Sequence, residues 1–88
     1  MEVSVSKTFE KDIRKITDKR IAKRILDLIE ILENSKSIHS IRNLKKLKTP
    51  GNYFRIRLGN YRLGLLVEKN TVYLLRIMDR KEIYNYFP

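Results

Sequence analysis

The chain has 88 residues, 42% hydrophobic and 34% charged, with 20 Lys and Arg against 10 Asp and Glu, a net charge of +10 and a pI near 10.1. That size and balance suit one folded domain over residues 1–88 and exclude a disordered chain. The lack of cysteine excludes disulfides, thiolate nucleophiles and cysteine-ligated zinc, and no apolar run approaches the roughly 20 residues of a membrane span. The opening MEVSVSKTFEKD carries no apolar signal segment, so the expected location is the cytoplasm, with no membrane partner.

The first element is a short strand, because EVSV at 2–5 alternates in polarity. Ser6 suits the N-cap of a helix over about 7–16, with Phe9, Ile13 and Ile16 along one face. Thr17-Asp18 interrupts, and Asp18 can cap a second helix reaching about Asn34, whose apolar stripe is Ile21, Ile25, Leu28, Ile29 and Leu32. So short a connection implies an antiparallel helical hairpin. Residues 35–52 are ambiguous. Ile38, Ile41, Leu44 and Leu47 recur every three residues, which fits one or two helical turns or a loop pinned by leucines.

YFRIRLGNYRLGLLVE at 53–68 reads as a hairpin: alternation, a Gly-Asn turn, then alternation again. Counting back from Gly59-Asn60 sets Leu58 opposite Tyr61, Arg57 opposite Arg62, Ile56 opposite Leu63, Arg55 opposite Gly64 and Phe54 opposite Leu65. TVYLLRIMD at 71–79 is a fourth strand. Asp79 and Glu82 match the spacing of a capping box, so RKEIYNYF at 80–87 is expected as a short helix anchored by Ile83 and Phe87, with Arg80 and Tyr84 one turn apart. The predicted fold is α+β: a helical hairpin on a small, mainly antiparallel four-stranded sheet with a short C-terminal helix.

Charge is distributed unevenly. Every Asp and Glu lies at or before Glu33 or at or after Glu68, while Lys36, Arg42, Lys45, Lys46, Lys48, Arg55, Arg57 and Arg62 crowd the acid-free stretch between. Such a block predicts a polyanionic partner, nucleic acid first and acidic protein second. In the predicted register Arg55, Arg57 and Arg62 share the polar face of the hairpin, although like charges placed opposite each other destabilise a sheet.

Most catalytic chemistries lack their residues. His39 is the single histidine, the three glycines form no phosphate loop, and no carboxylates stand at metal-ligand spacing on the basic face, so no metal or cofactor is expected. What remains is a guanidinium cluster that a tyrosine can approach from the terminal helix. Guanidinium forks match phosphate oxygens and stay charged at any cellular pH. On a rigid sheet they are preorganised for a phosphodiester and for the charge that develops when it is attacked. Gly64, opposite Arg55, would leave room there for a ligand's backbone. The competing reading is an ordinary exposed strand face whose aliphatic stems cover apolar neighbours.

The order of a helical hairpin, then LKKLKTPGNYFRIRLGNYRLGLLVEKNTVYLLRIMDRKEIY, resembles the RelE/ParE toxin superfamily over essentially the whole chain, most closely the RelE branch. The specific parts are YFRIRLGNYRLG and the terminal RKEIY. The resemblance implies a ribosome-dependent mRNA endonuclease that cuts in the A site by attack of a ribose 2′-OH on the adjacent phosphate, without metal, and so inhibits translation. By position it implies catalytic roles for Arg55, Arg57, Arg62, Arg80 and Tyr84, with Arg62 and Arg80 stabilising the phosphorane and Tyr84 stacking on a base or moving a proton. It further implies that Lys45, Lys46 and Lys48 contact ribosomal RNA, and that an acidic, RelB-like antitoxin is the protein partner beside ribosome and mRNA.

One departure bears on mechanism. Some RelE members carry lysines on the first hairpin strand where this chain has Arg55 and Arg57, and arginine is a poor general acid or base. Three other readings share the features: a ParE-type DNA gyrase inhibitor with the same fold and no RNA cleavage, a basic nucleic-acid-binding module without catalysis, and a degenerate toxin that keeps the fold and has lost the activity.

Overall fold

The structure, a computed structural model, describes residues 1–88. Strand β1 (Glu2–Val5) leads into helix α1 (Lys7–Arg14) through Ser6. The Ser6 hydroxyl accepts from Phe9 N at 3.0 Å and donates to Leu75 O at 3.0 Å, so the predicted cap also ties the helix to a distant strand. The helix stops at Arg14, short of the expected 16, because Lys15 N and Ile16 N close tighter three-residue turns onto Asp12 O and Ile13 O. Helix α2 (Lys19–Glu33) starts where expected, with Asp18 Oδ1 accepting from Arg20 N at 2.9 Å. Its end is held by the N-terminal ammonium of Met1, which donates to the carbonyls of Leu32, Glu33 and Ser35 at 3.3, 3.2 and 2.7 Å. A cation at a helix C-terminus satisfies the orphan carbonyls and opposes the negative end of the dipole.

The ambiguous stretch resolves into a 3₁₀ turn (Ile38–Ser40) and a three-residue strand, β2 (Leu44–Lys46). Asn43, at φ 62°, makes the left-handed step between them. The expected hairpin is β3 (Tyr53–Leu58) and β4 (Tyr61–Glu68), paired in the register read from the sequence, with Gly59 at φ +60° opening its turn. Strand β5 (Thr71–Asp79) completes the order β1-β5-β4-β3-β2.

The sheet therefore has five strands, not four, and is mixed: β1 runs parallel to β5 and the other pairings are antiparallel. The extra strand escaped the sequence reading because three residues are too few to show alternation, and the threefold spacing of Ile38 to Leu47 masks it.

One face of the sheet is apolar and carries the core. Phe9 of α1 and Ile21, Ile25, Leu28 and Leu32 of α2 pack with Phe54, Ile56, Leu58, Leu63, Leu65, Val72, Leu74 and Ile77. Both helices thus feed a single core with the sheet; of their predicted stripes Phe9, Ile21, Ile25, Leu28 and Leu32 are buried, while Ile13, Ile16 and Ile29 are half-buried against it. The opposite face carries the arginines and a short helix, α3 (Ile83–Tyr86). That helix begins three residues later than expected, and the capping box does not form. Arg80 N is bonded to Asn60 O at 2.8 Å and Asp79 Oδ1 accepts from Lys81 N at 2.8 Å, so residues 80–82 form a turn, and Glu82 caps α3 without a side-chain bond. Arg80 accordingly lies outside the helix that carries Tyr84. The two anchors hold: Ile83 and Phe87 are buried, apart from the main core cluster. No helix is long and apolar enough to cross a membrane.

Candidate functional site

Three guanidinium groups meet on the open face of the β3–β4 hairpin, and each is held by a neutral partner. Arg55, opposite Gly64, lays its guanidinium carbon 4.7 Å from the centroid of the Tyr84 ring. Arg57 and Arg62 face each other across the strands. Arg57 Nη2 donates to Asn43 Oδ1 at 3.2 Å, while Arg62 Nη1 turns toward the hairpin loop and donates to Gly59 O at 2.8 Å and Tyr61 O at 3.0 Å. Diverging partners separate the two cations without neutralising either. Most of their N–H groups stay free for a ligand.

These residues line a cleft of about 360 Å³ with Asn43, Leu44, Lys45 and Tyr84, and no carboxylate contributes to it. Lys45 enters because it pairs with Arg55 and so shares its face. Lys46, one residue on, lies on the other face; its Nζ donates to Gly51 O at 3.1 Å and sits 5.5 Å from the Phe54 ring. Lys48 is exposed in the following loop and lines no part of the cleft. Arg80 is exposed too, but its backbone is fixed to Asn60, in the same turn whose carbonyls hold Arg62. The structure thus brings Arg55, Arg57, Arg62, Tyr84 and Lys45 together, while Arg80, Lys46 and Lys48 line no part of the cleft.

Two expectations change. The room foreseen at Gly64 is occupied: a Cβ there would lie 2.6 Å from the ring of Phe87. Asn43, which no local sequence pattern marks, fixes Arg57 twice, since its backbone carbonyl also accepts from Arg57 N at 3.2 Å.

A fourth arginine behaves differently. Arg76 on β5 donates through Nε and Nη2 to Asp12 of α1 at 2.8 and 3.1 Å, and Asp12 Oδ2 also accepts from Ile77 N at 3.0 Å. Asp12 is only 5% exposed, and the hydrogen bonds Arg76 donates to its carboxylate hold the Arg76 pKa above the ordinary value. The sequence did contain a signal for this pair: Asp12 falls on the apolar Phe9–Ile13–Ile16 side of its helix, where a carboxylate needs a partner. No cluster of His, Asp or Glu could hold a metal ion.

Residues 3–84 match the family model described as the ParE toxin of the type II toxin–antitoxin system parDE. The chain is 44% identical over 89 residues to Toxin RelE3 of Methanocaldococcus jannaschii, covering all of both chains. The chain belongs to the RelE/ParE toxin family. Within that family it is RelE-like. Its fold matches the toxin–antitoxin complex RelB-RelE from Methanococcus jannaschii with a TM-score of 0.83 at 42% identity, covering 97% of this chain and 99% of the other. The archaeal RelE-RelB complex from Pyrococcus horikoshii matches in fold with a TM-score of 0.73 at 24% identity, covering 90% and 93%. This RelE-like toxin therefore keeps its arginine face on a fold shared among such toxins.

Proposed function

We propose that this type II toxin is a ribosome-dependent, metal-independent mRNA endonuclease of the cytoplasm that cuts in the ribosomal A site and thereby inhibits translation. The observation that carries this reading is the carboxylate-free cleft of Arg55, Arg57, Arg62 and Tyr84. A scissile phosphate seated between Arg57 and Arg62 would receive forked donors from both sides and relieve their repulsion. The 2′-OH of the preceding ribose attacks phosphorus as its proton passes to solvent, and the added negative charge of the phosphorane falls on the donors of Arg57 and Arg62, with Arg80 reaching in from the adjoining turn. The P–O5′ bond then breaks, leaving a 2′,3′-cyclic phosphate on one fragment and a 5′-hydroxyl, protonated from solvent, on the other. Arg55 orients Tyr84, whose ring is 66% exposed and free to stack on a base. The cleft holds no His, Asp or Glu, and arginines do not give up protons near neutral pH, so the arginines act by orienting the 2′-OH and stabilising charge, and any proton transfer by the protein falls to Tyr84 or Lys45. Lys45, Lys46 and Lys48 would contact ribosomal RNA phosphates regardless of sequence.

An acidic, RelB-like antitoxin is the proposed protein partner. Support comes from the net charge of +10 and from the RelB-RelE complex that this chain resembles at 42% identity. A second cleft, about 420 Å³ between α2 and residues 40–43, adds a suitable surface: Arg24, Arg42 and Arg57 border Leu28 and the exposed Ile31, with Asp27 the single acid.

One observation favours a second reading, the ParE description of the matching family model. A gyrase inhibitor would stall DNA supercoiling and leave messages intact. Primer extension on a message in a translating extract, run beside a gyrase supercoiling assay, separates the two. Cuts at A-site codons that require ribosomes and are lost with Arg80→Ala support the nuclease; intact message with stalled supercoiling refutes it. Survival of Tyr84→Phe would assign the tyrosine to stacking, and its failure to proton transfer.

A further inference from the structure

Helix α3 has four residues, far fewer than the roughly 12–15 at which an isolated helix becomes even marginal in water. Tyr84 and Tyr86 are 66% and 58% exposed, so neither ring is wedged in place. Yet Tyr84 sits over Arg55, and Tyr86 lies 5.5 Å from Arg76. Something outside these contacts must hold the segment down.

The holding points are Ile83, fully buried, and Phe87, 6% exposed, which bracket the two tyrosines. The Phe87 ring lies directly on Gly64: a Cβ at that position would come within 2.6–2.7 Å of three ring carbons. Gly64 has no positive φ to explain it. The missing side chain serves close approach alone. Tyr53 closes the socket, meeting Phe87 edge-to-face at 5.8 Å and 77°. Phe87 N donates to Ile83 O at 2.9 Å, so a ring seated on Gly64 also closes the single helical turn that carries Tyr84.

We propose that Gly64 and Phe87 are positioning residues, a socket and plug on the sheet that fix Tyr84 over Arg55 at the site. Neither residue touches the phosphate; both act through the tyrosine. The activity arm of the test rests on the proposed nuclease reading, while the structural arm does not.

The test compares wild type, Gly64→Ala, Phe87→Ala, Tyr84→Ala and the two pairings with Tyr84→Ala. Gly64→Ala fills the socket, and Phe87→Ala removes the plug without introducing a clash, so the second variant stands if the first does not fold. NMR should show the amide pattern of the strands retained in Phe87→Ala and the cross-peaks between the Tyr84 ring and the Arg55 side chain lost. Single-turnover cleavage on programmed ribosomes should fall about tenfold or more in each single variant, as expected when a stacking aromatic is lost. Adding Tyr84→Ala to either should then cost nothing further, because the tyrosine is already out of place. Restoring a smaller plug, Gly64→Ala with Phe87→Leu, should recover the cross-peaks in part. Cross-peaks that persist in Phe87→Ala, or losses that multiply with Tyr84→Ala, would overturn the proposal. If wild type cuts no RNA, the nuclease reading fails and the cross-peaks alone decide the socket.

Discussion

Arg76 and the Arg57–Arg62 pair stand on neighbouring strands of one sheet, and they are treated in opposite ways. Arg76 meets a buried carboxylate that also accepts Ile77 N, so its charge is neutralised and both partners are fixed. Arg57 and Arg62 face each other with only an amide oxygen and two backbone carbonyls for company. The first arrangement ties α1 to β5; the second leaves two charges unneutralised in a cleft. The fold supplies a carboxylate at one arginine and withholds it at two others on the adjacent strands, the contrast on which the proposed site rests.

The largest effect that tests this contrast is on activity. Arg57→Ala with Arg62→Ala should lower single-turnover mRNA cleavage about 10³-fold, near 4 kcal/mol of lost charge stabilisation. The melting temperature of the double variant should stay level or rise, since a like-charge cross-strand pair costs about 0.5 kcal/mol. Asp12→Ala should show the reverse: chemical denaturation should report a loss of about 3 kcal/mol, because Arg76 and the Ile77 amide both lose their acceptor.

A smaller effect belongs to the Met1 ammonium. Acetylating it should cost about 1 kcal/mol in thermal melts, by removing the cation from the carbonyls that end α2. The smallest belongs to the exposed Asp18 cap. The hydrogen bond from the Arg20 backbone, its main cause, lowers the folded pKa below 3.8. Its stabilisation is therefore full above the unfolded value and fades as pH falls through the lower folded one. Acid titrations of wild type and Asp18→Ala should diverge above about pH 4 and converge below it.

How much of this was legible depended on the range of the interaction. The hairpin and its register could be read in full, because a twofold period and a Gly-Asn turn are local signals. The Ser6 and Asp18 caps were equally local. Strand β2 was hidden by its length, and its absence from the reading left Asn43 unnoticed behind Arg57. Asp12 and Arg76 are 64 residues apart, so only the oddity of an acid on an apolar stripe hinted at them. The late start of α3 was illegible for another reason. Capping-box spacing at Asp79 and Glu82 was present, but tertiary bonding of Arg80 N to Asn60 used those residues for a turn. For the site, strand position identified Arg55, Arg57 and Arg62 as neighbours; what holds each of them came only from the folded chain.

The most direct test of the contrast is to watch the arginine side chains themselves. Nε–Hε correlations can be followed at low salt while a short oligonucleotide lacking the attacking 2′-OH is added. The expected result is that the signals of Arg55, Arg57 and Arg62 move together and saturate, while Arg76, already committed to Asp12, stays in place. Equal movement of Arg76, or no movement of the cleft arginines at saturating oligonucleotide, would contradict the assignment of the unpaired arginines to a phosphate.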